Sequence, residues 1–261
     1  MLLKIEQLTK SFGGLTAVNQ VDLEIEKGKI TAVIGPNGAG KSTFFNLISG
    51  FHLPTSGKIT YKGEDITTLP AEKVARLGIG RTFQTTHLFE QATVIDNVIV
   101  GHRLRTKSGL FDAIFRTKRE KLEEQKCLDK AMECLEFVGL THLAQYPISS
   151  ITQEEKKRVA FALALATDPE LILLDEPAAG VNPDETDGLA ALMKKMVDRG
   201  ITVCLIEHKM PMIMSLADKV VVLNHGKKIA EGTPEEIRNN QLVIEAYLGG
   251  SIDAKAHQLN S

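Results

Sequence analysis

The sequence predicts an α/β protein: a parallel sheet core, an N-terminal antiparallel β layer and a helical subdomain, and three observations lead there. The apolar run Ile30 to Ile34 feeds directly into a glycine-rich stretch followed by a helix-forming segment. The last third alternates short continuous apolar runs with amphipathic segments, the pattern of strands buried on both faces and linked by helices. Between these regions lies a long charged stretch with helical spacing.

The elements follow in order. Leu3 to Leu8 and Val21 to Ile25 alternate apolar and polar residues, as half-buried strands do, and make the N-terminal β layer. Lys29 to Ile34 is a buried strand, and Lys58 to Tyr61 a shorter one. Ala71 to Leu77 gives a short helix ending near Gly78. From Val94 to about Gly139 the pattern is helical and charged, and Gln153 to Ala166 is a further helix with apolar Val159, Phe161, Ala162 and Leu165. The helical subdomain therefore spans about residues 90–168. Beyond it come a strand at Leu171 to Leu174, a helix at Asp184 to Arg199, and strands at Ile201 to Ile206 and Val220 to Leu223. One domain covers residues 1–250, and the tail from Ser251 to Ser261 is expected to be poorly ordered.

Composition excludes several function classes. A chain of 261 residues allows one large or two small domains, and a formal net charge of −2 argues against nucleic acid as a partner. No apolar run approaches the roughly 18 residues of a membrane span. Met1-Leu2-Leu3-Lys4-Ile5-Glu6 lacks the basic start and apolar core of a signal peptide, so a cytoplasmic location is expected. Cys127, Cys134 and Cys204 lack metal-ligand spacing and read as reduced core thiols.

The chemistry begins at Gly35-Pro36-Asn37-Gly38-Ala39-Gly40-Lys41-Ser42-Thr43, which fits G-x-x-x-x-G-K-[ST] between a strand and a helix. Its glycines let successive backbone N–H groups turn toward phosphates, the helix N-terminus adds partial positive charge, and Lys41 reaches the β- and γ-phosphates. Ser42 is the expected Mg²⁺ ligand. A second site is Leu171-Ile172-Leu173-Leu174-Asp175-Glu176-Pro177, an apolar strand that delivers two carboxylates at its C-terminal end, where open α/β sheets bind ligands. Two such carboxylates alone can be merely solvated. Paired with the loop, Asp175 is positioned to hold Mg²⁺ and Glu176 to polarise a water aimed at the γ-phosphate.

Together, this loop, the strand ending in Asp175-Glu176-Pro177 and a later strand ending in Glu207-His208 resemble the ATP-binding subunits of ABC transporters, from about Leu2 to Gly249. The resemblance implies the ABC-ATPase fold, ATP and Mg²⁺ as ligands, and catalytic roles for Lys41, Gln84, Glu176 and His208. Phe12 matches the aromatic that stacks on adenine, a core phenylalanine being the alternative. Gln84, in Arg81-Thr82-Phe83-Gln84-Thr85, matches the glutamine that approaches Mg²⁺ and the attacking water, and His208 the switch histidine on the γ-phosphate.

Gly80-Arg81-Thr82-Phe83-Gln84, Ala178-Ala179-Gly180-Val181-Asn182-Pro183 and the ending Ile244-Glu245-Ala246-Tyr247-Leu248-Gly249 are similar to the LivG-type subunits of branched-chain amino acid importers. ATPases of urea and lipopolysaccharide systems share much of this pattern. The implied partners are transmembrane permease subunits, a second ABC ATPase subunit and, indirectly, a solute-binding protein, with the chain peripheral on the inner membrane face. A soluble ABC ATPase of DNA repair or translation is the rival, although such chains usually carry two cassettes or a long coiled-coil insertion. A nucleotide-binding regulator without turnover is a third reading.

One departure stands out. The family's Leu-Ser-Gly-Gly-Gln signature falls at Ile151-Thr152-Gln153-Glu154-Glu155, where both glycines and the final glutamine are absent. Thr152 can replace the serine hydroxyl, but Glu154 and Glu155 are expected to bring negative charge toward the partner's triphosphate. Like charges about 4 Å apart repel by roughly 4 kcal/mol at an effective dielectric near 20. A heterodimer with an intact-signature subunit is therefore favoured over a homodimer. Arg103, Arg105, Lys107, Arg116, Lys118, Arg119 and Lys121 form a basic run among apolar Leu110, Phe111, Ile114 and Phe115. A solvated helix face is its default reading, and a surface near anionic lipid or a membrane subunit the alternative.

Overall fold

The computed structural model describes residues 1–82, 88–103 and 118–248. Gln84, the basic run's Arg105, Lys107 and Arg116 with its apolar partners, and the expected tail from Ser251 lie outside the described residues.

Four strands form the N-terminal antiparallel layer, in the order β2-β1-β4-β5: β1 (Leu3–Phe12), β2 (Leu15–Ile25), β4 (Ser56–Tyr61) and β5 (Glu64–Asp65). Register places Leu3 opposite Ile25 and Tyr61, and Ile5 opposite Leu23 and Ile59, so one face is a continuous apolar surface. The main sheet has the order β10-β9-β3-β8-β7-β6. Its members are β3 (Ile30–Ile34), β6 (Ile79–Arg81), β7 (Leu171–Asp175), β8 (Thr202–Ile206), β9 (Lys219–Asn224) and β10 (Lys227–Gly232). All neighbours pair in parallel except β9 and β10.

Every residue of β3, β7 and β8 is buried, because the sheet is covered on both faces. The pleat divides them. Val33, Leu171, Leu173, Cys204 and Ile206 join the β layer and Phe44 and Phe45 of α1 (Lys41–Ile48) in one core. Ile34, Ile172, Leu174, Val203 and Leu205 pack on the helical side in the other. That side holds α3 (Val94–Arg103), α4 (Lys118–Val138), α5 (Gln153–Leu165) and α6 (Pro183–Asp198), while α2 (Ala71–Arg76) precedes β6. Three further helices follow: α7 (Met210–Leu216), α8 (Pro234–Arg238) and α9 (241–248). Cys127, Cys134 and Cys204 are buried, and burial pushes the thiols of Cys134 and Cys204 up to about 12. The expected layers are all present; β6, β10 and α7 were not foreseen, since each is short or polar and lacks a strong period.

Candidate functional site

Because β3, β7, β8 and β9 run parallel, their C-terminal ends meet along one edge of the sheet, and each delivers part of the site there. β3 leads into the 35–40 loop. Two of its glycines are required by close backbone approach: a Cβ at Gly35 (φ 151°) meets the Leu223 carbonyl oxygen at 2.0 Å, and one at Gly40 (φ 97°) meets that of Ala17 at 2.2 Å. α1 starts at Lys41 with no side-chain cap and no acidic residue in its first turn, which leaves its positive end facing the loop. Lys41 is 7% exposed, and its ammonium donates to the carbonyls of Gly35 at 2.7 Å and Pro36 at 2.9 Å. Burial lowers its pKa, opposed by the charges of Glu176 and Asp175.

β7 ends at Asp175, and Glu176 then takes a left-handed backbone (φ 48°), a strained conformation for a glutamate that turns its side chain into the cleft. Glu176 Oε1 lies 3.1 Å from His208 Nε2, at the end of β8. Between the two loops sits Glu207, buried, whose carboxylate accepts the N–H groups of Ala178 at 3.2 Å and His208 at 2.7 Å. That carboxylate holds the loop carrying Glu176 and the loop carrying His208 at a fixed spacing.

These groups share a cleft of about 540 Å³, lined by Asn37 to Thr43, Glu176, His208, His225, Gly226 and residues 15–17. Phe12 stands 43% exposed at the end of β1, with the His52 ring edge-on at 5.5 Å and Lys10 Nζ 4.9 Å from its ring centre. It is not among the residues lining the cleft, whose wall on that side is Leu15, Thr16 and Ala17. Asp175 is 4% exposed, and burial raises its pKa against the opposing Arg81 guanidinium. Among the described residues its buried Oδ1 has no hydrogen-bond partner. Among the described residues no cluster of three His, Cys, Asp or Glu side chains forms a cage for a metal. One orphaned carboxylate oxygen near a serine-bearing phosphate loop fits Mg²⁺, which keeps most of its shell as water and phosphate.

Several participants were not legible beforehand. His225, Gly226 and Leu15 to Ala17 belong to no motif, and Glu207, although it closes the strand before His208, had no role assigned to it. Tyr247 is another: it lies beside the Gly35 backbone, and desolvation raises the pKa of its phenol against the opposing pull of that backbone. The altered signature also differs from expectation. Glu154 is paired with Arg158 of its own helix, and the Glu155 carboxylate accepts the Thr152 N–H at 2.7 Å while Thr152 Oγ1 accepts the Glu155 N–H at 3.2 Å. Both charges are thus held by the chain's own groups, one by ion pairing and one in a capping box, and neither points freely outward.

Comparison with known proteins agrees with this geometry. A family model described as ABC transporter matches residues 18–179, and one described as Branched-chain amino acid ATP-binding cassette transporter matches residues 227–253. The high-affinity branched-chain amino acid transport ATP-binding protein BraF of Pseudomonas aeruginosa is 43% identical over 95% of this chain and 98% of its own. LivG of Escherichia coli K12 is 42% identical with the same coverage. A crystal structure of a nucleotide-free ATP-binding cassette from an ABC transporter superposes with a TM-score of 0.83 at 34% identity, covering 94% of this chain and 98% of that one. The ADP conformation of another such cassette gives a TM-score of 0.83 at 31% identity, covering 95% and 98%.

Proposed function

This chain belongs to the ATP-binding subunits of ABC transporters, and from that membership we propose that it binds and hydrolyses ATP to energise import of branched-chain amino acids. The observation that carries the chemistry is the 3.1 Å contact of Glu176 with His208 in the cleft that also holds Lys41 and the 35–43 loop. Lys41 exchanges its two loop carbonyls for β- and γ-phosphate oxygens and takes up charge that develops there. The α1 amides, uncapped by any side chain, add donors. Glu176 accepts a hydrogen bond from the attacking water and draws its proton as water adds in line to the γ-phosphorus. His208, oriented by Glu176 and by its own N–H on Glu207, hydrogen-bonds the γ-phosphate. When bound, Mg²⁺ supplies Lewis-acid charge on the phosphate oxygens, with Ser42, Asp175 and Gln84 as the residues to hold it. Phe12 is the candidate to stack on adenine.

The functional unit is one ATP-binding domain over residues 1–250 that works as a dimer on the cytoplasmic side of transmembrane permease subunits, a solute-binding protein acting only indirectly. Among the described residues no helix is long and apolar enough to cross a membrane itself. A heterodimer with a second ABC ATPase carrying an intact signature is the favoured assembly, because Thr152 Oγ1 is engaged in its own cap and no glycine opens the 151–155 backbone. ATP held between two subunits draws them together, and hydrolysis releases them. Uptake of radiolabelled leucine and urea by cells with and without this chain tests the substrate class. Loss of leucine uptake with urea uptake retained is expected; the reverse pattern contradicts it.

A further inference from the structure

A buried arginine joins the phosphate-loop helix to the carboxylate strand, and the mechanism above leaves it without a role. Arg81 closes β6 opposite Leu173 of β7, and its side chain is 7% exposed. Its Nη2 donates to Asp175 Oδ2 at 3.2 Å, and its Nη1 donates to Asn46 Oδ1 and Ser49 Oγ, both at 2.7 Å. The Ser49 hydroxyl proton is committed to the Phe45 carbonyl at 2.6 Å, so its oxygen faces Arg81 as an acceptor. The guanidinium lies 6.0 Å from the Phe45 ring centre and 5.6 Å from that of Phe51.

The division of its bonds is informative. An arginine placed only to neutralise a buried acid commonly forks onto both carboxylate oxygens. Here the fork is shared between Asp175 and the helix that begins with Lys41 and Ser42, and only Oδ2 is taken. Oδ1 remains buried and, among the described residues, without a hydrogen-bond partner, an arrangement costly to maintain unless something binds it.

We propose that Arg81 is a positioning residue for Asp175: anchored on Asn46 and Ser49, it holds Oδ2 so that Oδ1 is presented to the Mg²⁺ that accompanies nucleotide at Ser42. The proposal rests on the reading of Asp175 as the Mg²⁺-side carboxylate. Partners that orient a metal ligand typically change metal affinity by about 10- to 100-fold when removed. Arg81 acts through Asp175 and touches no phosphate.

The test is binding of a fluorescent ATP analogue to the full chain in a Glu176→Gln background, titrated with free Mg²⁺ and repeated in EDTA. Arg81→Gln should raise the half-saturating Mg²⁺ about tenfold while metal-free nucleotide binding stays unchanged, and Arg81→Lys should raise it less. The Asn46→Ala, Ser49→Ala double variant keeps Arg81 and should reproduce part of the rise; it decides the matter if Arg81→Gln does not fold. Weakening that is equal with and without Mg²⁺ overturns the proposal, as does an unchanged Mg²⁺ requirement in these variants while Asp175→Asn raises it. An unchanged requirement in Asp175→Asn overturns the reading of Asp175 itself and is thereby told apart from failure of Arg81 alone.

Discussion

Glu176 concentrates the chemistry at the scale of single residues. Among the described residues it alone combines a left-handed backbone, partial exposure to the proposed nucleotide cleft and a hydrogen-bonding contact with His208. Glu176→Gln keeps its shape and its contact with the imidazole but loses the charge that orients water. ATP binding should persist while steady-state phosphate release falls about 10²- to 10⁴-fold, the usual weight of a general base. Near-normal turnover in preparations free of contaminating ATPase removes Glu176 from the catalytic role. At this scale the sequence was informative wherever a residue type was forced by covalent geometry or charge. Gly35 and Gly40 are required by backbone oxygens within about 2.2 Å of where a Cβ would stand, and Lys41 and Asp175 fit the roles proposed for them. It was silent where a residue matters only through distant packing: Glu207 and Arg81 acquire their roles from neighbours far along the chain, which no local pattern records.

Two elements connect the site to the rest of the fold. The first is α9, which places Tyr247 against the Gly35 backbone while Val243 is buried in the helical-side core and Met210 and Met214 of α7 line the groove beside it. Since α7 directly follows His208, one short helix lies beside both the 35–43 loop and the segment that carries His208. Tyr247→Phe keeps the ring and removes only the hydroxyl. Loss of a polar group beside the loop, worth about 0.5–1.5 kcal/mol, should appear as a weakening of ATP affinity of about two- to tenfold. Identical nucleotide titrations for the two proteins contradict a role for this contact. The second element is α5. Arg158 pairs with Glu154 beneath it, donates to the Val138 carbonyl at the end of α4 at 3.0 Å, and fits against Gly188 of α6, where a Cβ would meet its Nη2 at 2.8 Å. The sequence predicted α5 within a residue of its end, because the charged turn 154–158 runs into apolar Val159, Phe161, Ala162 and Leu165 in one uninterrupted window. β10 escaped because its exposed Lys227, half-buried Lys228 and Glu231, paired with Lys219, read as loop chemistry on an edge strand.

At the scale of the whole molecule, the proposed nucleotide cleft is combined with a 151–155 segment whose acidic residues are engaged within their own helix. The parallel order of β9, β3, β8 and β7 brings the loop, Asp175, Glu176 and His208 to one edge, which the alternation of apolar strands and helices anticipated. What alternation does not convey is side-chain direction. Glu154 and Glu155 were expected to repel a partner's nucleotide, yet Arg158 pairs with Glu154 and the Thr152 amide with Glu155 on their own helix. The obstacle that remains is steric and conformational: Thr152 Oγ1 is bound within its cap, and no glycine lets the 151–155 backbone close on phosphate. Gln153→Gly, Glu154→Gly and Glu155→Gln together restore that backbone, and glutamine can keep the capping box. Loss of the Glu154 pair with Arg158 should lower stability by no more than about 1 kcal/mol. The most direct measurement is therefore phosphate release from ATP by three purified proteins side by side: the unmodified chain, the restored triple variant, and the restored variant carrying Glu176→Gln. Slow, fast and slow turnover, in that order, is the expected result. Brisk turnover of the unmodified chain alone, unchanged by restoration and by loss of Glu176, contradicts both the incomplete signature and the catalytic site.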